Sequence, residues 1–445
     1  MELSKAVGLE RPKGHQLAEK IASGSINPHA NARPPPGYTA QKIAFLVWLI
    51  ICTYITLSSL ATTSNDQYEV FHIYYQPLFV LVAMLWLWCV NVRYFEAHNL
   101  RYDLCFSAHD QRYLLSCRQL LQVTALGTVI VGSSATLFAW HGSRHELAAA
   151  SLHPPVMYCL LVALVLLPAN VAYKETRLFF STTMFRVATP FREVSWADFL
   201  LADVVTSLAK ALSDTERAIC LLISGTIMQP HDSDQVCGNA SWLIPLGLSL
   251  PYAWRLLQCL RVYTDTGARP QLFNALKYST AFPVILLSSL KYQVTPNQWD
   301  AYYKPLWLAS AFLNSAYSYF WDLERDWEIK AFTSRQGEPL MGCVRKPPLP
   351  NKISYWPGFY YYLMASNLIL RLSWTYKLSP HLRHNHATVM GFTLLEVIRR
   401  FQWMFVRVEV ELRKIQAHKP EHGQLVPPPP PPAAEKEDDE NTFLI

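Results

Sequence analysis

The sequence predicts an all-α integral membrane protein of about ten transmembrane helices. Three observations carry this. Half of the 445 residues are apolar (51%). Only 16% are Asp, Glu, Lys or Arg, against roughly 25% in ordinary soluble domains, too few to cover a soluble surface of this size. The apolar residues also fall in blocks of about 20, the length a helix needs to cross a bilayer.

The candidate spans, in order, are 43–60, 72–92, 119–140, 155–172, 197–227, 242–260, 272–290, 303–322, 355–378 and 386–411. The first four are plain hydrophobic helices. They read as a flanking bundle over 43–172, suited to homo-oligomerisation. The last six carry polar and ionisable residues well inside the apolar stretch. The span 197–227 is too long for a straight crossing, which predicts a tilt or a break near Ser213-Asp214.

Both ends are polar. Residues 1–42 contain Pro34-Pro35-Pro36 and no short apolar region with a cleavage site, so the first helix is the targeting signal. The tail 417–445 holds six prolines, Pro427 to Pro432, an extended spacer. An acidic run follows (Glu435, Glu437, Asp438, Asp439, Glu440), and this composition predicts disorder. The closing Glu440-Asn-Thr-Phe-Leu444-Ile445 looks like an acidic dileucine signal read by coat adaptors; the alternative is a solvated tail.

Orientation follows from lysine and arginine, which favour the cytosolic side. With both termini cytosolic, the cytosolic segments hold 26 basic residues, and the opposite loops hold only Arg144, Lys291 and Arg383. The sequon Asn239-Ala240-Ser241 then falls on the non-cytosolic side, a glycosylation candidate close to a span.

Nine cysteines are scattered singly, without a CxxC pair, so neither a zinc site nor a disulfide framework is predicted. His381, His384 and His386 form a short cluster that reads as a polar loop rather than a metal site. There is no GxSxG, P-loop or HExxH motif. Asp322 and Asp326 sit among arginines that would repel a divalent cation. The chain therefore reads as neither an enzyme nor a cofactor protein, and its partners are a lipid bilayer and an anion, with no nucleic acid.

The anion follows from nine ionisable residues in or at the edges of the last six spans: Asp203, Arg255, Lys277, Asp322, Asp326, Arg371, Glu396, Arg399 and Arg400. Each costs about 2.5–3.5 kcal/mol at mid-membrane, so left unpaired they would cost on the order of 20 kcal/mol. They must converge on one another or on water. Helical spacing allows it. Asp322 and Asp326 share a face, as do Glu396, Arg399 and Arg400, and so do Asp203, Thr206 and Ser207. Trp374 lies three residues after Arg371, and Tyr278 sets a hydroxyl beside Lys277. Five bases against four acids leave one excess positive charge, which inorganic phosphate would neutralise. Arginine forks suit a tetrahedral oxyanion. The bland alternative is a set of structural ion pairs locking helices together.

Several passages resemble the EXS domain of eukaryotic phosphate exporters. They are Leu201-Ala-Asp-Val-Val-Thr-Ser207, Pro251-Tyr-Ala-Trp-Arg-Leu-Leu-Gln-Cys-Leu-Arg261, Asn274-Ala-Leu-Lys-Tyr-Ser279 and Trp321-Asp-Leu-Glu-Arg-Asp-Trp327. To these belong Leu370-Arg-Leu-Ser-Trp374, Glu396-Val-Ile-Arg-Arg-Phe-Gln-Trp403 and Arg407-Val-Glu409. The resemblance covers 190–416 and implies a six-helix EXS-type transport bundle. It implies phosphate contacts for Arg255, Lys277, Tyr278, Arg371, Trp374, Arg399 and Arg400, and pathway roles for Asp203, Thr206, Ser207, Asp322, Asp326 and Glu396. Thr206 departs from the family's usual Asn, and Ala209 from its usual hydroxyl.

About 42 residues precede the first span, too few for the family's inositol-pyrophosphate-sensing SPX domain. The chain is therefore similar to the short fungal branch, the Golgi ER-retention-defective proteins. That implies return of phosphate from the Golgi lumen to the cytosol, with a link to glycosylation and to retention of Golgi and ER residents. The rival reading is a non-transporting receptor or scaffold for the sorting of glycosyltransferases. In the transport reading, phosphate enters from the lumenal side, the acids orient the cations, and the last two helices move about Ser379-Pro380.

Overall fold

A computed structural model describes residues 38–229, 234–238, 241–329, 332, 354–379, 382 and 385–417. Outside them lie Asn239, Pro380, His381, His384 and the tail residues Glu440, Leu444 and Ile445. The described elements are helical throughout, with no strand among them.

Helices α1 (Tyr38–Thr62), α2 (Asn65–Ala97), α3 (Cys117–Ser143) and α4 (Leu147–Leu166) are long and apolar enough to cross a membrane. Ser116 and Gln119 form a reciprocal cap at the start of α3, which satisfies two backbone donors that would otherwise lack partners. Glu96 adds a third acceptor there, taking the Cys117 backbone N–H at 2.9 Å. Helix α1 packs on α3 and leaves Ile43, Leu46, Ile50, Tyr54 and Leu57 exposed, an apolar face suited to lipid. Trp48 reaches α3 at Gly132, where a Cβ would lie 2.8 Å from the indole ring. Helix α5 (Lys174–Ala188) follows; its Arg177 donates to the carbonyls of Leu167 and Ala169, closing the end of α4.

The C-terminal half consists largely of interrupted helices. Helix α6 (Trp196–Ser207) starts at a cap in which Ser195 and Asp198 exchange hydrogen bonds, and α7 (Ala209–Ser224) ends at Gly225, whose φ of 74° terminates it. Helix α8 (Leu243–Thr266) ends at Gly267 with φ 65°. Then come α9 (Pro270–Ser279) and α10 (Ala281–Leu290), separated by Thr280. Helix α11 (Lys304–Trp321) runs into a π-helical turn, Asp322–Asp326. Helix α12 (Pro357–Arg371) gives way to a 3-10 stretch, Ser373–Leu378, and α13 (His386–Ala417) closes the fold.

Two expectations are corrected. The break in 197–227 falls at Leu208, not near Ser213-Asp214. Thr206 Oγ1 donates back to the Asp203 carbonyl at 2.7 Å, and such local hydroxyl bonds compete with helix continuation. At the expected site, Lys210 pairs with Asp214 one turn later and Ser213 donates to the Ile244 carbonyl, so the helix is held there. Second, Cys220 and Cys237 form a disulfide, which single scattered cysteines do not predict. The bond ties α7 to the one-turn helix Asp234–Cys237.

Helix α2 joins the two halves. It packs on α3 on one side and on α7 and α13 on the other. Its Phe71, Tyr74 and Tyr75 are buried with Phe138 of α3, Met157 of α4 and Leu221 of α7. Tyr158 donates to the Tyr74 carbonyl at 3.0 Å, so the buried phenol is satisfied.

Candidate functional site

The breaks in α6–α7, α9–α10 and after α12 set the geometry of the site. A helix C-terminus carries a partial negative charge, and each break makes a new C-terminus inside the fold. Lys277 lies in the last turn of α9, and Arg371 is the last residue of α12. Arg400, from α13, bonds to Thr206 and Ser207, the last two residues of α6. Three cations thus sit at internal negative helix ends.

Six of the nine ionisable residues form two groups, which Ser207 and Arg400 link. In the first, Arg255 of α8 and Asp203 of α6 form an ion pair at 2.6 Å, with both side chains 2% exposed. Tyr278 donates to the same carboxylate oxygen at 2.7 Å. Arg255 also donates to Gln258 at 2.7 Å and lies 4.5 Å from the Phe199 ring centre.

In the second group, Asp322 accepts from Arg371 at 2.9 and 2.6 Å and from Asn367 at 3.0 Å. Arg399 reaches Asp322 at 3.6 Å and pairs with Glu396 through bonds of 2.8 and 2.6 Å. Ser207 links the groups across α6 and α13. It donates to Glu396 at 2.8 Å and accepts from Arg400 at 2.9 Å.

Two cations stand apart. Among the described residues, no carboxylate lies within 4 Å of Lys277 or Arg400. Arg400 has the hydroxyls of Ser207 and Thr206 and the face of Trp403, 4.5 Å away. Lys277 Nζ faces the rings of Tyr278 at 4.4 Å and Trp321 at 5.4 Å. Two buried guanidinium nitrogens, Arg255 Nη2 and Arg399 Nη1, also lack a hydrogen-bond acceptor. The belt therefore has spare positive donors in its interior. It is open on one side, where the side chain of Glu396 is 35% exposed and that of Arg371 16%, while Arg399 between them is 3% exposed.

Asp322 and Asp326, both charge neighbours of Lys277, take different hydrogen-bond partners across the π turn: Asp322 accepts from Arg371, while Asp326 accepts from Trp403 Nε1 at 3.1 Å. Trp374 leaves the arginine for Ser315, to which it donates at 2.9 Å; Ser315 in turn donates to the Arg371 carbonyl.

Sequence reasoning passed over Asn367 and Ser315, and gave no role to Gln258 and Trp403, which stand in the motifs. Gln258 lies three residues after Arg255 and Asn367 four before Arg371, so helical spacing carried the signal. Arg407 and Glu409 stood in a quoted motif without a role. Arg407 lies over the rings of Trp196 and Phe199, and Glu409 accepts from Tyr360 at 2.6 Å and from the Ser354 backbone N–H at 2.7 Å. No group of three or more His, Cys, Asp or Glu side chains suited to a metal occurs among the described residues.

The EXS family profile matches residues 70–412. Xenotropic and polytropic retrovirus receptor 1 homolog of Danio rerio is 29% identical over 412 residues, covering 87% of this chain and 57% of that protein. Solute carrier family 53 member 1 of Homo sapiens is 28% identical over 411 residues, with the same coverage of 87% and 57%. SPX and EXS domain-containing protein 1 of Dictyostelium discoideum is 30% identical over 362 residues, 77% of this chain and 38% of that protein. The chain thus spans 57% of the length of the first relatives it matches.

Proposed function

We propose, from its place in the EXS family, to which this chain belongs, that it is a membrane transporter of inorganic phosphate. The observation that carries this is that, among the described residues, Lys277 and Arg400 have no carboxylate within 4 Å, in a belt of five bases and four acids. A purely structural network would match each buried cation to an acid, because an uncompensated buried charge is costly. Asp326 acts on Lys277 as an opposite charge, so one excess positive charge is left for a ligand. Inorganic phosphate fits it in charge, and its oxygens can accept from several guanidinium donors at once.

Each residue then has a task. Arg400, Lys277, Arg371 and Arg399 bind the anion, with Arg255 and Tyr278 behind Asp203. Asp203, Asp322 and Glu396 orient the arginines and keep the empty belt from attracting anions too strongly, since a conduit must release its ion. The open side at Glu396 and Arg371 is the entry. Movement of α13 against α6 would separate Arg400 from Thr206 and Ser207 and pass the anion on.

The finer reading is ten crossings, both termini cytosolic, and a Golgi location with phosphate moving from lumen to cytosol, in support of glycosylation and retention of residents. The lysine and arginine asymmetry supports the orientation. The Cys220–Cys237 disulfide supports it too, since disulfides persist on the oxidising side of a membrane. The Golgi assignment rests on the sequence resemblance.

Radiolabelled phosphate flux in proteoliposomes tests the function. The unsubstituted chain should carry phosphate. The double variant Arg371→Ala/Arg400→Ala, shown to be folded, should lose at least about 90% of the flux, a tenfold change equivalent to about 1.4 kcal/mol. No flux above empty liposomes from the folded, unsubstituted chain would sink the transport reading.

A further inference from the structure

We propose that Ser207 sets the anion affinity of the belt by standing between Glu396 and Arg400 and keeping them from neutralising each other. This deepens the phosphate-transport reading and rests on it.

Glu396 and Arg400 are four residues apart on α13, with the acid first, the spacing at which an acid and a base on a helix pair most readily. They do not pair here. Ser207 Oγ lies 2.8 Å from Glu396 Oε1 and 2.9 Å from Arg400 Nε. A hydroxyl has one hydrogen, and a guanidinium accepts none, so the hydrogen goes to Glu396 and the oxygen's lone pair to Arg400. One neutral atom therefore separates the two charges by about two hydrogen-bond lengths.

The consequence is a difference between neighbouring arginines. Arg399 donates to Glu396 through Nε and Nη2 and lies in ion-pair range of Asp322 at 3.6 Å, so both its charge partners are carboxylates. Arg400 spends Nε on Ser207 and Nη2 on Thr206 at 3.1 Å, both neutral hydroxyls. An oxyanion that takes over these donors exchanges neutral acceptors for a charged one, and such bonds are roughly twice as strong. An arginine already paired with a carboxylate offers no such gain. The break at Leu208 makes this possible, because it ends α6 at Ser207 and turns the negative end of that helix toward Arg400. Arg400 is held in place by partial charges, which an anion can displace.

Ser207 is on this account a positioning residue. Removing its hydroxyl frees Glu396, otherwise held by Arg399 and 35% exposed, to swing onto Arg400. Affinity should fall.

The test is concentration-dependent phosphate uptake by the full chain in proteoliposomes. Ser207→Ala should raise KM about five- to tenfold, on the scale of one charge-assisted hydrogen bond. Ser207→Thr, which keeps the hydroxyl, should return KM to within about twofold of the unsubstituted value. Should the alanine variant fail to fold, Ser207→Gly removes the same hydroxyl at the helix end and is read in its place. Saturable uptake with an unchanged KM in the folded hydroxyl-less variant would overturn this proposal alone. A lowered maximal rate at constant KM would do the same, since that is the mark of a structural role. Absence of saturable uptake by the unsubstituted chain would overturn the transport reading, and this proposal with it.

Discussion

At the residue scale, the ion pair of Asp203 and Arg255 is the most enclosed in the belt, and Arg255 as a whole is 1% exposed. Taking away one partner leaves a charge with no water and no counterion, a loss of about 3–5 kcal/mol. Asp203→Ala should therefore lower the unfolding temperature in detergent by well over the effect of Asp300→Ala, whose carboxylate is 65% exposed in its pair with Lys304. Equal effects would mean that the pair is solvated. The positions of the charged residues were legible in the sequence, because ionisable side chains are rare in apolar spans and each one marks itself. Their partners were less so. That Arg371 bonds Asp322 while Arg400 bonds only hydroxyls depends on which helices are neighbours, and spacing along one chain segment does not contain that.

At the element scale, the spans split into two kinds. The first four helices are continuous, although Thr124, Thr128 and Thr136 of α3 donate to carbonyls one turn back. The later ones are interrupted at Leu208 after α6, at Thr280 between α9 and α10, and at the π turn Asp322–Asp326. The excess length of 197–227 gave notice of a break. Its place was misread, because Lys210 and Asp214 pair across the expected site. The α1–α3 contact depends on a single small residue. Gly132→Leu would drive a side chain into the Trp48 ring, which already lies 2.8 Å from the place of a Cβ. Overpacking of this kind costs about 1–3 kcal/mol. Thermal unfolding should drop accordingly, and Trp48→Ala in the same chain should recover part of the loss.

At the scale of the whole molecule, α2 carries the coupling. Among the described residues it packs closely on both α7 and α13, so a movement of α13 would bear on α2. The disulfide from Cys220 to Cys237 fastens the far end of α7, closing a segment with a sequence separation of 17. Closing a loop of that size contributes about 3 kcal/mol by restricting the unfolded chain. Reduction should lower the unfolding midpoint, and a membrane-impermeant reductant should act from the side opposite the termini. Reduction from the cytosolic side alone would reverse the orientation.

By itself the sequence determined the solvent of this chain and its chemistry. Blocks of about 20 apolar residues call for a membrane, and charged residues within them call for mutual contact, because both follow from transfer energies that each segment incurs alone. Only the tertiary structure decided which charges neutralise each other and which are left over. Asp203 went to Arg255, Asp322 and Glu396 to Arg371 and Arg399, and Arg400 was left to two hydroxyls. Pairing energies fall off over a few ångströms, so they are fixed by helix packing and by where helices break, and these depend on contacts between segments far apart in the chain.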